Sequence, residues 1–243
     1  MKISLVLPAY NEAVRLADTV DRVTESLKQI SPDFEIIIAE DGSTDGTDDV
    51  ARKLAVQHDY IKHLHSDERQ GRGKALNRAF KTATGDVLCY IDVDLATDMT
   101  HLKELIEAIS VEGYDFATGS RMMPSSSVKR SLKRGIASQG YNFLVRAVLD
   151  SKLYDHQCGF KSFKRRPLLK LMEKVKDTHW FWDTELLVLA QYYGYKIKEF
   201  PVNWRHGGTT KVSLRKDVFE MGSQIFRLRR ELKAMESSRL ATK

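Results

Sequence analysis

The sequence predicts an α/β protein built on a Rossmann-like, mostly parallel central sheet flanked by helices, with an amphipathic helix near its C-terminal end. Two patterns predict the sheet: short apolar runs alternate with stretches of helical period, and polar or acidic residues recur just after the runs. Such alternation gives parallel strands covered by helices on both faces. A third pattern supplies the last helix. Val218, Ile225, Leu228 and Leu232 fall at helical spacing among Arg227, Arg229, Arg230 and Lys233.

Ile3 to Leu7 reads as a buried strand closed by Pro8. Asn11 is placed to cap a helix whose apolar residues Leu16, Val20, Val23, Leu27 and Ile30 repeat until Pro32. Phe34 to Ala39 is the second strand, and Ser43 or Thr44 opens a helix carrying Val50, Leu54 and Ala55. Ile61 to His65 is a third, weaker strand. Lys74 to Ala83 follows as a helix, then Val87 to Ile91 as the fourth strand. His101 to Val111 gives another helix and Tyr114 to Gly119 the fifth strand. The second half is less regular. Residues 128–149 read as an amphipathic helix, Phe160 to Phe163 and Ile197 to Val202 as strands, and Asp183 to Tyr193 as a helix. Ser237 to Lys243 read as a frayed tail. No repeat or long linker divides residues 1–213, so one domain is expected, followed by the helix and tail of 214–243.

A chain of 243 residues, 42% hydrophobic and 30% charged, can bury a substantial core, which excludes disordered and collagen-like classes. Cys89 and Cys158 are too few for a disulfide framework or an all-thiolate zinc site. No apolar run approaches the roughly 18–20 residues that span a bilayer. The Ile3–Leu7 run, stopped by Pro8, does not read as a signal peptide, so a cytoplasmic location is expected. Thirty-nine Lys and Arg against 33 Asp and Glu give a net charge of +6. That excess suits nucleic acid, an anionic membrane surface or a phosphorylated substrate. Its distribution is uneven: acidic clusters sit in the first 120 residues and basic ones crowd the second half. A nucleic-acid partner is not expected, because no aromatic-interleaved basic motif occurs and such binding leaves the paired aspartates unexplained.

In open sheets of this kind ligands sit beyond the carboxyl ends of the strands. Tyr10-Asn11-Glu12, Asp41-Gly42-Ser43 and Asp92-Val93-Asp94 all fall there. Asp92 and Asp94, two apart at a strand end, point to one side and suit a hard divalent cation that keeps sites for phosphate oxygens. An isolated Asp-x-Asp is more often a solvated loop, and its place after a buried strand is what favours the metal. Asp41 is placed to accept from a base N–H or a sugar hydroxyl, although part of its segment is an ordinary turn. Arg69-Gln70-Gly71-Arg72-Gly73-Lys74 is a basic loop opening a helix, which favours phosphate but equally describes a flexible loop. His156, His179 and His206 lack metal-site spacing and read as packing or surface residues.

Together, Pro8-Ala9-Tyr10-Asn11-Glu12, Glu40-Asp41-Gly42-Ser43, the glycine-lysine loop and Asp92-Val93-Asp94 resemble the inverting glycosyltransferases of family 2, with the GT-A fold. Gly119-Ser120-Arg121, Asp155 to Lys161, Trp182 to Leu187 and Pro201 to Trp204 resemble the dolichyl- or polyprenyl-phosphate hexose synthases, nearest the dolichyl-phosphate glucosyltransferase type. The resemblance spans roughly residues 3–214. It implies transfer of a hexose from a nucleotide sugar to a lipid phosphate at the cytosolic membrane face. Residues 1–119 would then bind the nucleotide sugar and 120–213 the acceptor. Pro8, Tyr10, Glu12 and Asp41 would line the nucleoside, Lys74 would approach the nucleotide, and Asp92 and Asp94 would hold Mg²⁺ or Mn²⁺. Mannosyl members carry a Gln shortly after the Asp-x-Asp, where Ala96 stands here, and this favours UDP-glucose over GDP-mannose. The turn Gly207 to Ser213 departs from the glucosyl pattern and leaves UDP-N-acetylglucosamine open.

A lipid-phosphate acceptor is also favoured by its chemistry. A sugar hydroxyl needs a base to take its proton, whereas a phosphate monoester, with a second pKa of about 6, is already ionised and needs cations instead. Arg121, Arg130, Arg134 and Lys211 are the candidates to hold it. Asp94, Arg121 and Asp155 are the catalytic candidates. Asp155 would orient arginines or acceptor, serve as a base to a saccharide hydroxyl, or form a structural salt bridge. Residues 128–149 and 214–233 suit a helix lying at a membrane surface, packing on the domain's own core or, for the last helix, forming a homo-oligomer.

Overall fold

The computed structural model describes residues 1–129, 132–205 and 216–241. Its first half runs β1 (Ile3–Ala9), α1 (Ala13–Lys28), β2 (Phe34–Glu40), α2 (Thr47–Gln57), β3 (Ile61–Leu64), α3 (Arg72–Thr82), β4 (Val87–Ile91), α4 (Leu102–Ser110) and β5 (Phe116–Ser120). The second half adds β6 (Ser127–Lys129), α5 (Leu132–Leu149), β7 (Phe160–Lys164), α6 (Arg165–Met172), α7 (Trp182–Tyr192), β8 (Ile197–Pro201), β9 (Asn203–Arg205) and α8 (Lys216–Ala241). A seven-stranded sheet has the order β3-β2-β1-β4-β7-β5-β8, and β6 pairs with β9 beside it. Within the large sheet β7 runs antiparallel to both β4 and β5, and the other pairings are parallel.

The strands are apolar on both faces because both faces are covered. Leu5, Leu7, Ile36, Ile38, Cys89 and Ile91 pack with α1, α2 and α4. The intervening Val6, Ile37, Leu88 and Tyr90 pack with α3, α5, α6, α7 and α8. The core is therefore two layers with the sheet between them, and each fully buried aliphatic side chain in it contributes roughly 1.5–3 kcal/mol.

Several local expectations are corrected. Asn11 does not cap α1. It adopts a left-handed φ of 53°, donates its N–H to Ser43 Oγ at 3.0 Å and accepts from Thr44 N at 2.9 Å. Neither Ser43 nor Thr44 opens α2, which starts after Gly46 with Asp45 Oδ1 accepting from Thr47 N at 3.0 Å. The stretch 128–149 divides into a strand and a helix, and α6 was not anticipated. The tail is helical to Ala241, with Ser237 and Ser238 hydroxyls each donating to the carbonyl four residues earlier at 3.0 Å.

The apolar stripe of α8 faces the protein's own core: Met221, Ile225, Leu228 and Leu232 are buried. Arg227 on the same helix pairs at 3.0 Å with the fully buried Glu185 of α7. On α5, Val145 and Leu149 are buried, whereas Ile136 and Phe143 are 70% and 72% exposed. Among the described residues no helix is long and apolar enough to cross a membrane.

Candidate active site

Two parallel ladders align three strand ends. Ala9 of β1 pairs with Glu40 of β2, and Val6 pairs with Tyr90 of β4. β2 and β3 lie to one side of β1 and β4 to the other, so the chain reverses its order between β1 and β4, where open sheets bind ligands. Pro8, Tyr10 and Glu12 leave β1 at this edge, half-buried. The Arg69 guanidinium lies 4.0 Å from the centre of the Tyr10 ring. The Glu12 N–H donates to Thr47 Oγ1 at 2.7 Å, and its carboxylate pairs with Arg15 at 3.0 Å. Asp41, 4% exposed, accepts from the backbone N–H groups of Gln70 and Gly71, both at 2.9 Å. Gly42, at φ 69°, allows this approach, since a Cβ there would overlap the Arg69 backbone. Tyr10 and Asp41 thus join the β1 and β2 ends to the 69–71 segment.

Asp92 follows β4. Its N–H donates to Gly159 O at 3.0 Å, and a Cβ on Gly159 would fall on the Asp92 carboxylate. Asp92 Oδ1 accepts from the Arg72 guanidinium at 2.6 Å, and the other end of Arg72 reaches Asp183 Oδ2 at 2.5 Å. Asp183 also accepts from the Tyr90 hydroxyl and lies 3.3 Å from Lys161 Nζ. Lys161, Tyr90 and Asp183 are buried. Burial alone would raise the Asp183 pKa, but Lys161 and Arg72 hold it below the usual carboxylate range. Arg72, whose charge burial disfavours, is held protonated by Asp92 and Asp183. Asp94 accepts from Ala96 N at 3.1 Å, and its pKa is raised by burial and then by the neighbouring Asp92 charge. Leu95 after it has φ 45°, left-handed backbone that a branched side chain rarely takes.

Beyond the antiparallel β7, Arg121 follows β5. Its Nε and NH2 reach the two oxygens of Asp155 at 2.7 and 2.9 Å, and its N–H donates to the same carboxylate at 3.0 Å. The pattern of glycosyl transferase family 2 matches residues 4–172 of this sequence.

The chain belongs to glycosyl transferase family 2.

Among similar proteins, glycosyltransferase AglD of Haloferax volcanii is 53% identical over 93% of this chain and 37% of its own length. The dolichyl-phosphate beta-glucosyltransferases of Drosophila melanogaster and Saccharomyces cerevisiae are 32% and 28% identical, each over 93% of this chain and 74% of theirs. The chain thus spans little more than a third of AglD. The fold matches crystal structures of Mycobacterium tuberculosis glucosyl-3-phosphoglycerate synthase. Its UDP complex has TM-score 0.66 at 19% identity, over 95% of this chain and 79% of that one. Its complex with Mn²⁺, UDP and phosphoglyceric acid has TM-score 0.65 at 18% identity, over 93% and 76%. Mannosyl-3-phosphoglycerate synthase of Rubrobacter xylanophilus has TM-score 0.66 at 17% identity, over 97% and 75%. The expected GT-A architecture is the one this family 2 chain has.

Within this family 2 site, Asp155 forms the salt bridge that was one of its expected alternatives, and Lys74 stands on an exposed helix face. Asp155 is not placed as a base: it is fully buried, its oxygens are taken up by Arg121 and by Gln157 N at 3.1 Å, and although burial would raise its pKa the Arg121 charge holds it far below the usual range. Lys74 is exposed on α3, and the residue delivered to the aspartates is Arg72, two positions earlier. Arg130 and Lys211 lie outside the described residues, as does the Arg134 side chain. The cleft beside the Asp-x-Asp loop, of about 860 Å³, is lined in part by Trp204, the acidic Asp98 and the basic residues Arg22, Lys103, Lys129 and Arg205. Trp204 also lies 5.7 Å from the Arg121 guanidinium.

Sequence reasoning gave no role to Arg72, Tyr90, Gly159, Lys161 and Asp183, although all but Tyr90 lie within motifs it singled out. The loop containing Arg72 was singled out, but nothing in the spacing links it to an aspartate 111 positions on. Of the histidines, His156 is buried and bonded to Ser151 and Asn142, a packing role, and His206 lies outside the described residues.

Proposed function

We propose that this chain transfers glucose from UDP-glucose to dolichyl or polyprenyl phosphate at the cytosolic face of a membrane, inverting the anomeric centre. The observation that carries the reading is the placement of Asp92 and Asp94 at the sheet's switch point, with the Arg72 and Arg121 guanidinium groups on the surrounding elements.

The two carboxylates suit Mg²⁺ or Mn²⁺. Burial and then the Asp92 charge raise the Asp94 pKa, the second a repulsion that a bound cation would relieve, and the Asp92 side chain is 45% exposed, so it can be reached. A cation held there would offset charge on the departing nucleoside diphosphate. Pro8, Tyr10, Glu12 and Asp41 are assigned to the nucleoside. Arg72 supplies a fixed positive group beside Asp92, where diphosphate charge builds. Arg121, held by Asp155, is assigned to the acceptor phosphate together with Lys129 and Arg205 at the cleft, flanking Arg130, Arg134 and Lys211 in sequence. In the reaction a phosphate oxygen attacks the anomeric carbon, the bond from that carbon to the diphosphate breaks, and UDP leaves with the electron pair. No proton need be removed from an ionised phosphate. Asp155 then acts as a positioning residue. A hydroxyl acceptor would need the base that Asp155 is not placed to be.

Approach to a lipid is supported by Ile136 and Phe143, exposed on α5 beside basic sequence, rather than by α8, whose apolar stripe is buried. Each basic residue near an anionic leaflet contributes about 1 kcal/mol. The test is incubation with UDP-[¹⁴C]glucose, Mg²⁺ and dolichyl phosphate. Label moving to the organic phase supports the reading, and label that stays aqueous while UDP is released overturns the acceptor assignment.

A further inference from the structure

Away from the Asp-x-Asp loop, four potential ligands converge where α2 crosses the edge of the sheet. Glu40 ends β2, His63 lies on the edge strand β3, His65 follows it, and Asp48 is in the first turn of α2. One ligand atom from each lies within 4.8 Å of all the others. His65 Nδ1 is 2.7 Å from Glu40 Oε2 and 3.0 Å from Asp48 Oδ1, and His63 Nε2 is 3.2 Å from the same Asp48 oxygen. The spacing alone also fits an ordinary hydrogen-bonded cluster. Two atoms argue against that: Asp48 Oδ1 and His63 Nε2 are both buried and, although 3.2 Å apart, neither has a neighbour in hydrogen-bond geometry. A buried acceptor and a buried ring nitrogen left unpaired are costly unless something else bonds both.

We propose that Glu40, Asp48, His63 and His65 form a divalent transition-metal site of the zinc class, separate from Asp92 and Asp94. Two imidazoles and two carboxylates are a tetrahedral donor set, and their charges neutralise a dication. At zinc–ligand distances of about 2.0–2.1 Å, ligand atoms stand about 3.3 Å apart, close to the three shortest separations, and the rest of the four lie within 4.8 Å. The ligands carry the outer partners that such sites use. Ser43 N donates to Glu40 Oε1 at 2.5 Å, Arg52 pairs with Asp48 Oδ2, and His65 Nε2 lies 3.2 Å from Asp67. The Asp-x-Asp pair offers only hard oxygens, so imidazole-seeking metals are drawn to this cluster and Mg²⁺ to the other. A metal here would clamp β2, β3 and α2 just behind Asp41, and so fix the wall of the proposed nucleoside pocket. The site itself does not depend on the proposed reaction.

The test is a titration of the full chain, stripped with chelator and held in excess Mg²⁺, with Co²⁺ followed by visible absorption. One equivalent should give the intense bands of a tetrahedral site and raise the melting temperature. His63→Ala should weaken Co²⁺ binding by at least about tenfold. His65→Gln, at a position 42% exposed and so tolerant of change, should do the same while melting normally without metal. Asp94→Asn should leave the bands intact. Absent bands in the unaltered protein, bands that survive both histidine changes, or bands lost in Asp94→Asn would each overturn the assignment.

Discussion

Asp155→Asn separates a base from a positioning residue. In the structure the carboxylate accepts three bonds from Arg121, at 2.7, 2.9 and 3.0 Å, and one from Gln157 N at 3.1 Å. Asparagine keeps the shape but removes the charge, and it turns one acceptor into a donor facing another donor. Removing one partner of a buried pair costs about 3–5 kcal/mol. At 1.4 kcal/mol per tenfold, even half of that cost falling on placement of Arg121 would lower kcat/KM for the lipid phosphate about 10–100-fold. The rest would appear as lost stability in urea melts. Initial rates with UDP-glucose and dolichyl phosphate, from pH 5.5 to 8.5, distinguish the roles. The Arg121 charge holds Asp155 ionised throughout that range, so its removal should scale the profile down without reshaping it. Arg121→Ala should cost as much, and the double variant little more, because the two act as one unit. An acidic limb in the unaltered enzyme that vanishes in Asp155→Asn would refute this reasoning and make Asp155 the base.

Asp94→Ala should reduce turnover at least about a thousandfold, as loss of several kcal/mol of charge stabilisation requires, with an unchanged circular dichroism spectrum; retained turnover removes the metal assignment. Glu35 accepts from Ser4 and Thr84 and pairs with Lys62 at 2.6 Å; burial opposes its charge, but these partners bring its pKa from 4.5 to about 2. A lowered folded-state pKa stabilises above the unfolded value, so about 3 kcal/mol present at pH 7 should fade as the pH falls from about 4.5 to 2, and Glu35→Gln should flatten that part of the urea-stability profile. Leu228→Ala should cost about 2–5 kcal/mol in urea unfolding, because its site on α8 is fully buried; a loss under 1 kcal/mol would detach that helix from the core. Phe143→Ser should weaken sedimentation with anionic vesicles at an unchanged melting temperature, and unaltered sedimentation would move the contact elsewhere.

The first half of the fold was legible because strand and helix alternate there with little competing signal. The apolar runs at Ile3, Phe34 and Val87 could be placed only in a covered sheet. The direction of β7 was not legible. A strand buried on both faces reads the same in either sense, and only its pairing with β4 and β5 shows its direction. Lys161 adds to the difficulty, since a lysine in the middle of a strand argues for solvent until its partner Asp183 is known. The caps failed for a related reason. Asn11, Ser43 and Thr44 are good cap residues spent on each other, joining the β1 and β2 ends instead of opening helices.

The candidate site divides in the same way. Asp92, Asp94, Asp41 and Arg121 were readable because each closely follows a strand end, and the sheet brings those ends together. What holds Asp92 in place was not readable, because its partners come from the far side of the sequence. Arg72 at the start of α3 joins Asp92 to Asp183 on α7, and Lys161 on the antiparallel strand balances the second carboxylate. Gly159 leaves room for the Asp92 carboxylate, and its carbonyl fixes the Asp92 backbone. Four charges, mostly sequestered from water, are a poor source of stability, since apolar residues of similar volume would fold as well. Their arrangement fixes a carboxylate and a guanidinium side by side before any ligand arrives, as the proposed stabilisation of a leaving diphosphate without reorganisation would require. The antiparallel strand that the sequence pattern could not orient is therefore the element that completes the floor of the site.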